Sequence, residues 1–140
     1  MLESMKKLCL FPIVVLLMFS CQGADVPERR AEEFLSAFLS CRFAEASEMC
    51  SPEVVEAMRW RASQLSRDEA EAMVESLPDI ETTDVQMLSD DSCVVTCLAS
   101  DAFVLDSIDQ PGHIGNEKYR LVLKKEKGSN WKVTALISNL

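Results

Sequence analysis

The chain has 140 residues and carries 14 Lys and Arg against 23 Asp and Glu, a net charge of −9. That length suggests one domain, and the acidity argues against a nucleic-acid partner, since a phosphate backbone is repelled unless a basic patch compensates. The charge is uneven: Ser66 to Asp109 holds one base, Arg67, against twelve acids, whereas Gln110 to Leu140 holds six bases against Glu117 and Glu126. Two complementary solvated surfaces of one fold account for this. The sharper alternative is a basic C-terminal hairpin docked on anionic headgroups.

Lys6 and Lys7 precede an apolar run of twelve residues, Leu8 to Phe19, broken only by Pro12. The run is too short to cross a bilayer core and has the length and flanks of a secretory signal. Met5, followed directly by the two lysines, is a more typical start than Met1. The run closes at Met18-Phe19-Ser20-Cys21, and a small residue followed by Cys at that place resembles the bacterial lipobox. Ser20 and Cys21 match it; Phe19 is bulky for its position, and Met18 stands where Leu is commonest. The resemblance implies that residues 1–20 are a lipoprotein-type signal peptide and that Cys21 becomes the lipidated first residue. Several acyl chains on one residue hold a membrane stably, whereas one does so marginally. Counted from Cys21, 12 bases oppose 22 acids, so the net charge becomes 12 − 22 = −10. Residues 21–27 read as a tether, being polar, small and without periodicity. An ordinary signal cleaved after Gly23 or Ala24, or an uncleaved anchor, is the alternative. The expected location is the bacterial cell envelope, periplasmic or on the outer surface, with the membrane as a partner through the lipid anchor.

From Glu28 the pattern turns helical, with Ala31, Phe34, Leu35, Phe38 and Leu39 on one stripe and Cys41 continuing the row inward. Ala44 to Cys50 reads as a short second helix. Ser51-Pro52 signals a third start, with the serine hydroxyl as N-cap and the proline in the first turn; Val55, Met58, Ala62 and Leu65 form its expected inner stripe. Trp60 falls off that stripe, either covering a core edge or facing a cavity or partner. Ser66 and Glu69 match a capping box, opening a fourth helix with Ala70, Met73, Val74 and Leu77 inward, which Pro78 ends.

From Ile80 the period becomes two. Thr83, Val85 and Met87 are expected on one face of a first strand, and Ser89 to Ser92 form a turn. Cys93, Val95, Cys97 and Ala99 share a face of a well-covered second strand. Phe103 to Leu105 reads as a short separate strand and Gln110 to Asn116 as a loop. Tyr119, Leu121 and Leu123 lead through Lys127-Gly128-Ser129-Asn130 to Trp131, Val133, Ala135 and Ile137, a final hairpin. Helices first and strands after, without βαβ alternation, predict an α+β fold with an antiparallel sheet, a single domain over residues 28–140.

Three segments carry a resemblance: Ala31-Glu32-Glu33-Phe34-Leu35-Ser36-Ala37-Phe38, Phe43-Ala44-Glu45-Ala46-Ser47, and the hairpin from Tyr119 through Gly128 to Val133. Together they resemble the nuclear transport factor 2-like (cystatin-like) superfamily, and most of all its small bacterial lipoproteins of unknown function. The resemblance implies a strongly bent antiparallel sheet wrapped around N-terminal helices, a cone with a pocket. It transfers no catalytic residue, and fold alone does not decide function.

Cys41, Cys50, Cys93 and Cys97 are an even set in an exported chain and hence candidates for disulfides. Cys93 and Cys97, about 13 Å apart along one strand, cannot join each other; other pairings, or buried free thiols, stay open. Their spacings fit no common zinc pattern, and no motif for a cofactor is present. His113, the single histidine, reads as a solvated loop residue with no triad around it. Trp60, Tyr119 and Trp131 are the candidate pocket lining. Asp84, Asp101 and Asp106 could supply a base beside Tyr119, as in isomerase relatives, but match no motif residue by residue. The reading favours a non-enzymatic domain that binds an envelope protein or a small apolar ligand. The alternative is a small isomerase or dehydratase with a carboxylate in the pocket, which requires a buried Asp or Glu beside Tyr119 or His113. A surface-patch interaction module is the third possibility.

Overall fold

The computed structural model describes residues 26–104 and 112–138. The leader with its expected detached helix, Cys21 and Asp106 lie outside these residues. Four helices come first, α1 (Pro27–Leu39), α2 (Phe43–Ser47), α3 (Pro52–Gln64) and α4 (Arg67–Glu75), followed by four strands, β1 (Asp79–Ser89), β2 (Ser92–Val104), β3 (His113–Lys125) and β4 (Trp131–Ser138). The strands form one antiparallel sheet in the order β1-β2-β3-β4. The chain is α+β, with N-terminal helices packed on a C-terminal antiparallel sheet.

Helix α1 organises the core. Pro27 occupies its first turn, where a missing N–H costs nothing. Ala31, Phe34, Leu35, Phe38 and Leu39 are buried as their spacing predicts, and Phe34 and Phe38 stack at 5.8 Å. The helix touches all four strands, which requires the sheet to curl around it. Its C-terminus closes with Arg42 N–H donating to Ala37 O (2.8 Å) and Cys41 N–H to Phe38 O (3.4 Å). That is the Schellman pattern, and Cys41 takes the left-handed position at φ 59°, which glycine usually fills.

Irregularities in the strands supply the curl. An extra residue bends a strand and increases its twist. Thr83 is such a residue in β1, since Thr82 pairs with Cys97 and Asp84 with Thr96. Further register shifts fall between Met87 and Ser89, between Ala99 and Ala102, and between Val122 and Leu123. At the β2 bulge Asp101 adopts φ 57°, a conformation its short polar side chain tolerates. The bulge joins two segments that the sequence reads as separate, so Phe103 and Val104 belong to β2, paired with Ile114 and His113. His113 to Asn116 is therefore the start of β3 and not a loop.

Four further expectations are corrected. Ser51 makes no capping hydrogen bond through its side chain; its N–H donates instead to Val133 O at 2.9 Å, tying the start of α3 to β4. The inner stripe of α3 turns by one residue, burying Val54 with Met58 and leaving Val55 half-buried. On α4 only Met73 is buried and Val74 is exposed, because this helix lies at the rim against β2; Leu77 lies beyond its end and is exposed as well. On β1 the bulge at Thr83 takes that residue out of the alternation, so Val85 and Met87 share the face of Ile80 and Thr82, opposite the inward Val95 and Cys93; Val85 is half-buried, while Met87, near the end of the strand, is exposed. The capping box is present in full: Ser66 Oγ accepts from Glu69 N–H at 3.2 Å, and Glu69 Oε1 accepts from Ser66 N–H at 3.2 Å.

Candidate functional site

Between α3 and the β3–β4 side of the sheet runs an open groove of about 440 Å³. Its walls are mainly apolar: Phe38 from α1, Val54, Ala57 and Met58 from α3, and Ala135 and Leu136 from β4. Tyr119 forms part of its floor, and Trp60 stands on its lip with 62% of its surface exposed. The rotation of the α3 stripe explains this arrangement. With Val54 and Met58 turned onto the core, the next positions around the helix, Ala57 and Arg61, face the gap above β4.

Arg61 is the cationic member of the lining. Its guanidinium carbon lies 5.1 Å above the centre of the Phe38 ring, a cation–π geometry. Phe38 is itself held edge-on by Phe43, with centroids 6.1 Å apart. Glu53 lies at the other end of the groove, eight residues or about 12 Å back along the helix at 1.5 Å per residue. Its carboxyl is held below the usual carboxylate range, chiefly by its own backbone N–H in the first turn of α3.

Beneath the groove, Tyr119 Oη donates to Glu117 Oε2 at 2.6 Å, and both residues are buried. They lie two apart on β3, so they share its inner face opposite Ala99 and Cys97. Burial, reinforced by the Glu117 carboxylate, pushes the Tyr119 phenol far above its ordinary value, and the positive field of Arg61 opposes that rise. Tyr119 is therefore a proton donor throughout the neutral range. Sequence reasoning missed Glu117 and weighed Asp84 and Asp101 in its stead; both of those are exposed. The missed signal is the i, i+2 relation to a tyrosine already placed inward.

Of the expected pocket lining, Trp60 and Tyr119 come together but Trp131 does not. Trp131 opens β4, five residues or about 17 Å before Leu136 at 3.3 Å per residue. It is buried beside a different cleft, of about 540 Å³, where Arg30, Glu33, Glu45 and Glu48 face Met49 and Lys132. A third cleft, of about 560 Å³, holds Lys124, Lys125, Lys127 and Lys132 together with Asp91 and Glu126. It gathers the C-terminal bases at the hairpin end of the sheet.

The four described cysteines are thiols, not disulfides. Cys93 and Cys97 share the inner face of β2, as their spacing predicts. Cys41 Sγ lies 3.6 Å from Met73 Sδ, and this contact joins the end of α1 to α4. Cys50 Sγ is 3.8 Å from Ser47 O, and Cys97 Sγ is 3.8 Å from Thr82 Oγ1. Burial raises all four thiols, Cys97 the furthest, to about 11. They are held as neutral S–H, a poor state for nucleophilic or metal-ligand chemistry. Among the described residues no three His, Cys, Asp or Glu gather as a metal site would require. No helix among them is long and apolar enough to cross a membrane. His113 is exposed at the start of β3, away from the groove lining.

No family model and no curated protein matches the chain. Among solved structures, it is similar to an Ntf2-like protein involved in plasmid conjugation, with 14% identity and a TM-score of 0.42 over 79% of this chain and 46% of that one. The chain thus spans about half the length of that protein.

Proposed function

We propose that this is a lipid-anchored protein of the bacterial cell envelope, a nuclear transport factor 2-like domain that binds a small apolar ligand and performs no chemistry on it. The observation that supports ligand binding is the groove between α3 and β4, walled by Phe38, Val54, Ala57, Met58 and Leu136 and bordered by an exposed Trp60. Its volume of about 440 Å³ lies in the range of small-molecule sites. An exposed tryptophan on the lip supplies a large contact area with little entropy to lose. Support for anchoring comes from the leader and Ser20-Cys21.

Two measurements on the full chain test the two halves. Intact mass of membrane-extracted protein should show a product starting at Cys21 with added acyl mass, lost in Cys21→Ala; an unlipidated mass unchanged by the mutation overturns the anchor. Titration with decanol should shift the emission of Trp60 saturably. Ala57→Arg, which fills the groove from an exposed helical position, should abolish that shift. A response that survives this substitution overturns the groove.

One observation favours a second reading, the isomerase or dehydratase type. Glu117 is a buried carboxylate that accepts a hydrogen bond from Tyr119, a residue of the groove lining. In the structure the phenol proton is already committed to Glu117, which leaves no free donor to polarise a substrate carbonyl. Proton exchange at a carbonyl-adjacent carbon of a bound ketone, lost in Glu117→Gln while binding persists, would favour the enzyme.

A further inference from the structure

We infer that the groove selects an apolar monoanion, a small molecule whose carboxylate or equivalent head sits on Arg61 while its apolar body lies along Met58, Val54 and Leu136. This rests on the groove being a ligand site and goes on to specify the chemical class of the ligand. The position of Arg61 carries the inference. Arg29, Arg30, Arg42 and Arg67 each lie within 4 Å of a glutamate. Arg59 and Arg120 stand exposed to water. Arg61 is half-buried, lines the groove, and among the described residues has no carboxylate within 4 Å. Its Nε is buried without a hydrogen-bond partner. An unpartnered buried donor on a charged group is costly, and the Phe38 ring beneath it offers attraction but no acceptor.

A planar guanidinium with free N–H groups matches a carboxylate in fork geometry. The surroundings oppose a cation or a dianion. Arg61 is one charge in a mainly apolar wall, so it neutralises one negative head and leaves a second desolvated. Glu53, the other charged member of the lining, is about 12 Å away along α3 and is already favoured in its ionised form by the helix start. The tail of a bound monoanion therefore runs toward the Glu53 end while its head remains at the Arg61 end.

The test compares decanoate with decanol, which share a chain and differ in head charge, each below its micellar concentration, on the full chain and on Arg61→Gln and Arg61→Lys. Trp60 emission reports occupancy, and far-UV circular dichroism verifies the fold. Decanoate should bind about tenfold more tightly than decanol, a difference of about 1.4 kcal/mol. Arg61→Gln should abolish that preference by weakening decanoate alone, and Arg61→Lys should retain part of it by keeping the charge. Equal binding of the two probes, or a decanoate affinity unmoved in Arg61→Gln, overturns the inference while leaving the apolar groove standing. Binding of neither probe overturns the groove itself and the inference with it.

Discussion

Helices α1 and α4 begin from the same kind of sequence, an apolar stripe at helical spacing among charged residues, and end in different surroundings. In α1 six residues are buried and the helix touches all four strands; in α4 Met73 alone is buried, and the helix lies against β2. Amphipathic patterning states which face of a helix prefers to be covered, but the remainder of the fold decides whether anything covers it. The curled sheet has room for one helix along its concave side, and α1 takes it. Helix α3 lies between these extremes, burying Val54 and Met58 and leaving Ala57, Trp60 and Arg61 to form the groove. The groove thus lies where packing is incomplete, on a helix that the core holds by one edge.

Core truncation should separate the two helices most. Phe34→Ala, which empties a fully buried site in contact with the stacked Phe38 ring, should cost about 3–5 kcal/mol. Val74→Ser on α4, 61% exposed, should change stability by less than about 0.5 kcal/mol. Urea midpoints of both variants check this, and similar losses would show that α4 is buried in solution.

Alkaline pH should act on the core and spare the rim. Burial pushes Cys97 up to about 11 from its ordinary 9, and Tyr119 is raised as well. Both groups hold their protons more tightly in the folded state. Their contribution is complete below the unfolded pKa and is lost as pH rises through the folded one. Stability should therefore be flat below about pH 9 and fall by about 2–3 kcal/mol between pH 9 and 11 through Cys97 alone. Cys97→Ala should flatten that part of the curve, as read from urea midpoints at each pH.

Tyr119→Phe comes third. It deprives the buried Glu117 carboxyl of its 2.6 Å donor and should cost about 1–3 kcal/mol. Ser66→Ala, which removes the capping box of α4, should cost about 1 kcal/mol. Its effect should appear as faster amide exchange confined to the α4 turn, with α1 amides unchanged. Acceleration in α1 as well would mean that the rim and the core open together.

Much of the fold was legible because it depends on local periodicity. The α1 stripe, the Ser66–Glu69 box, the inner face of β2 and the hairpin from Tyr119 to Trp131 all follow from spacing that the chain carries within a few residues. The site was legible in part. Trp60 could be read as off its stripe and Tyr119 as inward, but that they share a groove depends on how α3 lies over β4, and nothing in either segment states it. Trp131, equally aromatic, opens β4 and lies at the far end of that strand from the groove. Glu117 was readable in principle from its i, i+2 relation to Tyr119. Arg61 over Phe38 was not, since 23 positions of sequence separate them.

By itself, then, the sequence determined the class of fold, the order of its elements and their inward faces where the period is unbroken. The tertiary structure decided the rest. A single extra residue at Thr83 or the turn of backbone at Asp101 reverses which side chains face the core, because a strand alternates with every residue and a bulge changes its phase. Which of several amphipathic helices occupies the concave face, and which basic side chain is left over an apolar groove without an acid to meet it, depends on competition for a limited buried surface, and only the assembled chain resolves that competition.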